Sequence, residues 1–183
     1  VFDEARYFIS GEKVSAITID GKKFGITICE DAWQNSGKVP SNYERDPIVE
    51  LSELDDLEFV VNLSSSPFHS TKDLLRRDVA KCAAKTLDLP FLLANQYGGN
   101  DDLLFDGRSL AVWPEGTIIE APPWSEGILM LNLDNPEQSN WLPLDNSKSE
   151  LQFNEETNIK SKTAELLDAI TVGLRDYCVK SGL

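Results

Sequence analysis

Cys29 is the residue of this sequence best placed for nucleophilic chemistry. It follows an apolar run over residues 24–28 that is typical of a buried strand, and Glu30 comes directly after it. A thiol in a sharp turn at a strand end can project its sulfur into a cleft, where the backbone N–H groups that follow can stabilise an oxyanion. The alternative is a structural cysteine in the core. Cys82 and Cys178, each on a predicted helix, are interpreted as core residues.

His69 is the only histidine in the chain and the obvious candidate for a general base. It follows Pro67 and Phe68 in a turn that leads into a helix, and no third group that would orient it is evident. A Cys–His hydrolase is therefore a weaker interpretation. One histidine and three widely spaced cysteines match no metal-ligand spacing, so we expect no metal in this segment.

Short strands and helices must position these residues. Asp20-Gly21 between two β-rich runs predicts a hairpin, and the apolar run at 59–63 predicts a strand buried on both faces. Residues 70–73 resemble a capping box that opens a helix. Further along, the patterns predict a strand, a polar loop, a hairpin and a last strand, over residues 90–94, 96–107, 109–120 and 127–133. This alternation indicates an α/β layered fold.

The charge balance and the cysteine count exclude several classes of protein. The chain has 183 residues with 17 Lys+Arg against 31 Asp+Glu, a net charge of −14, which argues against nucleic acid or an anionic membrane as partner. No apolar run approaches the ~18 residues of a membrane span. Three cysteines without a CxxC pair fit a reducing, cytoplasmic location. The only methionine is Met130, so we expect the chain to be a fragment or a processed product.

The last fifty residues change character. Asn, Ser, Pro and acids predominate from 134 to 157, which predicts a linker or a surface arm. Residues 159–180 then predict an amphipathic helix. Its apolar side comprises Leu166, Leu167, Ile170, Leu174, Tyr177 and Cys178. Because this stripe needs a partner, we expect the helix to pack mainly on another domain and not on the core around Cys29.

Several motifs, in order, resemble the nitrilase or carbon–nitrogen hydrolase superfamily. FGITICEDAW at residues 24–33 resembles its nucleophile segment, and residues 62–69 resemble its N-x-S-P-[YF]-H turn. FDGRS at 105–109 with PEG at 114–116 resembles its FDG-x-S … P-x-G hairpin. Within the superfamily, VFDEARYF at residues 1–8 is similar to the glutaminase domain of glutamine-dependent NAD⁺ synthetases.

The resemblance implies three parts along the chain. Residues 1–133 would be the C-terminal portion of a nitrilase-like glutaminase domain, an α-β-β-α sandwich that is incomplete at its N-terminus. Residues 134–157 would be a linker, and residues 158–183 resemble the first helix of the synthetase (ATP pyrophosphatase) domain. The resemblance places ATP and Mg²⁺ in that synthetase domain and no cofactor in the present segment.

The resemblance also implies roles for single residues. The superfamily uses a Glu–Lys–Cys triad, in which Cys29 matches the nucleophile and the backbone N–H of Glu30 would stabilise the oxyanion. Glu4 matches a second, supporting glutamate, and Ser66 and Lys72 match positions that contact glutamine. The alternatives are a surface acid for Glu4 and an ordinary exposed lysine for Lys72. The lysine and the base glutamate of the triad would precede this sequence, so we expect the 183-residue chain alone to be inactive. We also expect it to expose an apolar sheet face or to fold only with a partner segment.

The reaction so implied is hydrolysis of the glutamine side-chain amide through a cysteine thioester, with release of ammonia. In the family this ammonia amidates adenylated deamido-NAD⁺. We expect L-glutamine, the synthetase domain of the same chain and further copies in a homo-oligomer as partners. The rival hypotheses are a stand-alone nitrilase-type amidase or carbamoylase and a non-catalytic acidic interaction module.

Overall fold

The computed structural model describes residues 7–34, 36–37, 44–144, 151–153 and 162–183. Glu4 and most of the motif at residues 1–8 lie outside this described part. The strands of the described residues are β1 (Ser15–Ile19), β2 (Lys22–Ile28), β3 (Phe59–Ser64), β4 (Phe91–Asn95), β5 (Tyr97–Asn100), β6 (Leu103–Asp106), β7 (Leu110–Val112), β8 (Ile118–Glu120), β9 (Gly127–Met130), β10 (Asn140–Pro143) and β11 (Gln152–Phe153). The helices are α1 (Pro47–Ser52), α2 (Lys72–Leu87) and α3 (Lys162–Ser181).

One seven-stranded mixed sheet, in the order β1-β2-β3-β4-β7-β8-β11, is the frame of the molecule. The predicted hairpin is confirmed, because Asp20 and Gly21 both have positive φ and join β1 to β2 with Ile19 opposite Lys22. Strands β2, β3 and β4 run parallel to one another. Parallel strands end at the same edge of a sheet, so the segments after Ile28, Ser64 and Asn95 emerge side by side.

Helices α1 and α2 pack on one face of this sheet and form the main core with Val60, Phe91, Leu93, Leu110, Val112 and Ile118. Asp46 begins α1, and its side chain accepts hydrogen bonds from the backbone N–H groups of Ile48 and Val49. The capping box predicted for α2 is wrong. Thr71 precedes that helix with φ 80° and makes no side-chain capping bond, although a helix does begin within the predicted segment, at Lys72.

The buried face of α2 is not purely apolar. Besides small and apolar residues it includes Arg76 and Arg77, whereas Thr86 is exposed and Cys82 is half-buried. Cys178 on α3 is half-buried as well, so the prediction that these two cysteines are core residues is wrong. The two arginines are buried because acidic side chains of the sheet meet them, as described below.

Two segments predicted as irregular fold into strands. Residues 96–107 form the β5–β6 hairpin, which turns at Asp101-Asp102 with a positive φ at Asp101. The described part of the predicted linker returns to the domain: β10 pairs with β9, and β11 pairs with the edge strand β8. Trp141 of β10 is buried, and this anchor explains why β10 packs on the domain despite its polar surroundings in the sequence.

Helix α3 lies on the β5–β6 hairpin through a small and polar face. Gly173 lies beside the side chain of Leu104, and Asp176 accepts a hydrogen bond from the backbone N–H of Gly99 at 2.7 Å. Lys180 Nζ donates to the carbonyl of Gly99 at 2.5 Å. The predicted apolar stripe stays exposed, including Leu167, which is 64% exposed. None of the helices in the described part of the chain is long and apolar enough to cross a membrane.

The opposite face of the sheet is apolar and largely open over β1, β2 and β3. Ile17, Ile19, Ile28 and Leu63 are all exposed there, and Leu63 lies opposite Ile28 in the register of β2 and β3. The expectation of an exposed apolar sheet face is thus confirmed, as is the α/β class. The prediction that β3 is buried on both faces is wrong, because only its helix-side residues are covered. The described residues form this one large sheet and two two-stranded ribbons, β9–β10 and β5–β6.

Gly25 supplies a test of how tightly the helix-side core is packed. A Cβ atom at Gly25 would lie 2.9 Å from Leu51 Cδ2 and 3.1 Å from Val60 Cγ2, so Gly25→Ala overpacks the contact between β2 and α1. We expect a loss of about 1–3 kcal/mol in the free energy of unfolding, measured by urea denaturation. Gly11→Ala, on an exposed segment with a nearest contact of 3.7 Å, is the matched control and should change little.

Candidate active site

Cys29 begins a single turn of 3₁₀ helix, Cys29–Ala32, immediately after β2. Its φ of +43° lies in the left-handed region, which turns the chain sharply away from the strand direction. The backbone N–H of Ile28 donates to Asp31 Oδ2 at 2.7 Å and closes the turn. Burial raises the pKa of the Asp31 carboxyl, while this hydrogen bond opposes the rise. The nucleophile candidate is therefore presented on a fixed, strained turn at a strand end.

Asn62 fixes this turn from the neighbouring strand. Its fully buried side-chain Nδ2 donates to Thr27 Oγ1 at 3.0 Å and to the Cys29 carbonyl at 3.3 Å. Ser64 Oγ in turn donates to Asn62 Oδ1 at 2.6 Å. Sequence reasoning gave Asn62 no role of its own beyond its place in the N-x-S-P motif. A polar residue inside the apolar run of β3 was the signal that it must bond to a neighbour.

Lys72, the first residue of α2, reaches back over the turn that carries Cys29. Its Nζ lies 4.5 Å from the centre of the buried Trp33 ring. Burial and the charge of Arg76 lower the pKa of Lys72, and the charges of Cys29 and Glu30 act in the opposite direction. The ammonium group is thus within electrostatic range of the sulfur. Trp33 is a further site residue that sequence reasoning quoted only as part of a motif.

Ser66 lies in the segment that follows β3, at the same end of the sheet. Its backbone N–H donates to Asn95 Oδ1 at 2.8 Å, and its carbonyl accepts from Arg76 Nη1 at 3.4 Å. Its hydroxyl is buried and has no hydrogen-bond partner among the described residues. A buried hydroxyl in this state can be satisfied by a ligand or by water.

A cluster of buried opposite charges supports the first turns of α2. Arg76 pairs with Asp106, and Arg77 Nε lies 2.5 Å from Glu120 Oε2. The third arginine, Arg108, contacts both of these carboxylates at 3.2 Å. Because each of these side chains is almost entirely buried, the cluster fixes α2 against the end of β6 and against β8.

The structure brings Cys29, Glu30, Ser66 and Lys72 together at the end of β2 and β3 from which the chain enters α2. Their individual roles stay predictions. The Glu30 carbonyl accepts from the Trp33 N–H at 2.9 Å, so the backbone that would supply the oxyanion donor is held in the turn. The side chain of His69 is exposed. None of the three cysteines, all within the described ranges, forms a disulfide.

A cavity of about 760 Å³ lies away from this group of residues. On the sheet side it is lined by Val61, Leu92 and Ala94, and on the other side by residues that include Tyr97 and Arg175. It opens beside the uncovered apolar face of the sheet. Within the described ranges, no group of three or more His, Cys, Asp or Glu side chains is arranged to hold a metal ion.

Comparison with known proteins identifies the family. Residues 1–141 match the family described as carbon–nitrogen hydrolase. The chain belongs to the carbon–nitrogen hydrolase family. The match contains Cys29 together with Ser66 and Lys72, so the residues that the fold brings together all lie in the family's domain.

Members of the family with similar sequences bear one name. The chain is 36% identical to the glutamine-dependent NAD⁺ synthetase of Synechocystis sp. and 30% identical to that of Thermotoga maritima, with all of this chain aligned. It covers 31% and 34% of those proteins, or about a third of their length. Among solved structures, the glutamine-dependent NAD⁺ synthetase from Acinetobacter baumannii matches all of this chain with a TM-score of 0.71 and 31% identity, over 31% of its own length.

The buried amide of Asn62 provides a test of the turn that presents Cys29. In the protein as the cell produces it, Asn62→Ala removes the amide that bonds to the Cys29 carbonyl and to the Ser64 hydroxyl. We expect it to lower the free energy of unfolding by about 1–3 kcal/mol and to slow alkylation of Cys29 by iodoacetamide, followed by mass spectrometry. Ser64→Ala, which removes a bond to Asn62 but none to Cys29, should leave the alkylation rate near the wild-type value. Equal effects of both variants on that rate would contradict the assignment.

Proposed function

We propose that this chain carries the glutamine-hydrolysing thiol of a glutamine-dependent NAD⁺ synthetase. The observation that carries the proposal is the presentation of Cys29 on a strained turn that Lys72 reaches, with the Lys72 Nζ 4.5 Å from the centre of the Trp33 ring at the end of that turn. The names of the similar proteins favour this function over other activities of carbon–nitrogen hydrolases. The thiolate is the form in which cysteine attacks carbonyl carbon.

The polar groups around Cys29 suit the two ends of glutamine. Lys72 supplies a positive charge for the α-carboxylate, and the Trp33 ring limits where its ammonium group can lie. The unpartnered Ser66 hydroxyl is a hydrogen-bonding group that a bound amino acid could engage. The side-chain amide of glutamine would then reach the Cys29 sulfur, with the N–H of Glu30 directed at the oxyanion.

The reaction follows from these positions. The thiolate sulfur bonds to the amide carbon, and the negative charge on oxygen is stabilised by backbone N–H donors. The carbon–nitrogen bond then breaks, and the nitrogen leaves as ammonia after taking up a proton. Water attacks the resulting γ-glutamyl thioester, which releases glutamate and restores the thiol. The proposal gives neither the role of the base nor that of the triad lysine to a described residue.

The ammonia would be consumed in an ATP-dependent amidation of deamido-NAD⁺. The proposal places ATP and Mg²⁺ in a synthetase domain, outside the residues described above. Helix α3 is proposed as the first helix of that domain, because its apolar stripe is exposed while its opposite side lies on the β5–β6 hairpin. Assembly into a homo-oligomer stays a prediction.

Substitution of the nucleophile separates the two half-reactions. In the naturally translated protein, Cys29→Ala should abolish glutamine-supported NAD⁺ synthesis and leave ammonia-supported synthesis largely intact, since ammonia bypasses the thioester. Cys82→Ala, at a half-buried cysteine on α2, is the matched control and should retain both activities. Parallel assays with glutamine and with ammonium chloride give the answer.

Three results, from these assays, from assays with other amides and from thiol alkylation, would count against the proposal. Equal loss of both activities in Cys29→Ala would contradict the division of labour between thiol and synthetase. Retained turnover of simple aliphatic amides with no preference for glutamine would instead favour a stand-alone amidase. Alkylation of Cys29 no faster than that of Cys82 and Cys178 would favour a non-catalytic module.

The lowered pKa of Lys72 makes glutamine binding depend on pH. Burial is the main cause of that lowering, so the ammonium loses its proton below the ordinary pKa of 10.5. Because the charged form would bind the α-carboxylate, KM for glutamine should rise as pH increases through the Lys72 pKa. Lys72→Arg keeps its charge over this range and should give a KM that is higher at neutral pH but nearly independent of pH. The same alkaline rise of KM in Lys72→Arg would show that another group titrates.

A further inference from the structure

Arg108 joins three segments of the chain that are distant in sequence. Its guanidinium lies 3.2 Å from Asp106 Oδ2 at the end of β6 and 3.2 Å from Glu120 Oε1 on β8. The same group lies 3.9 Å from Asp73 Oδ2 in the first turn of α2 and 2.8 Å from Glu165 Oε1 in the first turn of α3. The Arg108 side chain is 11% exposed, so these contacts form in a largely water-excluded space.

Two of the carboxylates that Arg108 contacts are linked directly to the residues proposed to bind glutamine. Asp73 follows Lys72 directly, so a group that holds Asp73 also sets the start of α2. Asp106 is shared with Arg76, which lies one helical turn after Lys72 and donates to the Ser66 carbonyl. A shift of Arg108 would therefore be felt at Lys72 and at Ser66 together.

Glu165 is the one member of this cluster that the helix α3 provides. Three arginines of the described residues meet four carboxylates here, so the positive charges are already balanced by Asp73, Asp106 and Glu120 without it. Removing Glu165 leaves no arginine of the cluster uncompensated. The Glu165 contact is therefore not required to neutralise the cluster. Its effect is on the position of the Arg108 guanidinium.

We propose that Arg108 is a positioning residue through which α3 sets the affinity of the Cys29 site for glutamine. Glu165 holds the guanidinium from one side, and Asp73 and Asp106 transmit its position to Lys72 and Ser66. The inference rests on the proposed function, because it takes glutamine as the ligand of those two residues. Glutamine binding and the Glu165–Arg108 contact are then reciprocally coupled: bound glutamine strengthens this one contact of α3, and the contact raises the affinity for glutamine.

The test compares two contacts of the same helix in the naturally translated protein. Glu165→Gln keeps the shape of the side chain but removes the charge that Arg108 meets, whereas Asp176→Asn weakens the bond of α3 to Gly99 without touching Arg108. We expect Glu165→Gln to raise KM for glutamine roughly three- to tenfold. We expect kcat and the melting temperature to change much less, and Glu165→Asp to recover part of the affinity.

The Asp176→Asn control shows whether a rise of KM in Glu165→Gln comes from the lost contact with Arg108 or from any weakening of the contacts of α3. A similar rise of KM in Asp176→Asn, or a fall of kcat with KM unchanged in Glu165→Gln, would overturn the positioning role and leave the proposed function standing. Absence of Cys29-dependent glutamine hydrolysis in the wild-type protein would overturn both. A rise of KM confined to Glu165→Gln, with ammonia-supported synthesis at the wild-type rate, supports the inference.

Discussion

The buried pairs of Arg76 with Asp106 and of Arg77 with Glu120 constrain the rest of this structure. Charges taken out of water are stabilising only when their partners lie close, and a single misplaced partner leaves an uncompensated charge that costs several kcal/mol. Helix α2 can therefore dock on the sheet in only one position and rotation. Because Lys72 opens that helix and Ser66 bonds to Arg76, the positions of both residues follow from the pairing of these charges.

The second determinant is the direction of the strands. Three parallel neighbours, β2, β3 and β4, end at one edge, and each end contributes a polar group that bonds across to the next. Asn62 reaches the Cys29 carbonyl, and Asn95 accepts from the Ser66 N–H. These hydrogen bonds fix the turns after the strands relative to one another. Each turn is held by a residue of the neighbouring strand and not by its own sequence alone.

Sequence patterns predicted the elements whose signals are local. The Asp20-Gly21 hairpin, the apolar run of β3 and the position of Cys29 at a strand end are all readable from a few consecutive residues. The β5–β6 hairpin and the return of β10 were missed because their order depends on distant partners, such as the contact of Asp176 with Gly99 and the burial of Trp141.

The two buried arginines of α2 could not be predicted, for a related reason. A periodicity rule treats arginine as a surface residue, whereas Arg76 and Arg77 are buried by carboxylates that come 30 and 43 residues later.

The backbone at Cys29 has a cost of another kind. A left-handed φ at a residue with a Cβ costs roughly 1–2 kcal/mol, and glycine would relieve it while removing the thiol. Under the proposed function, stability and reactivity therefore make opposite demands on this one position, because the residue that would relax the backbone could not carry out the reaction.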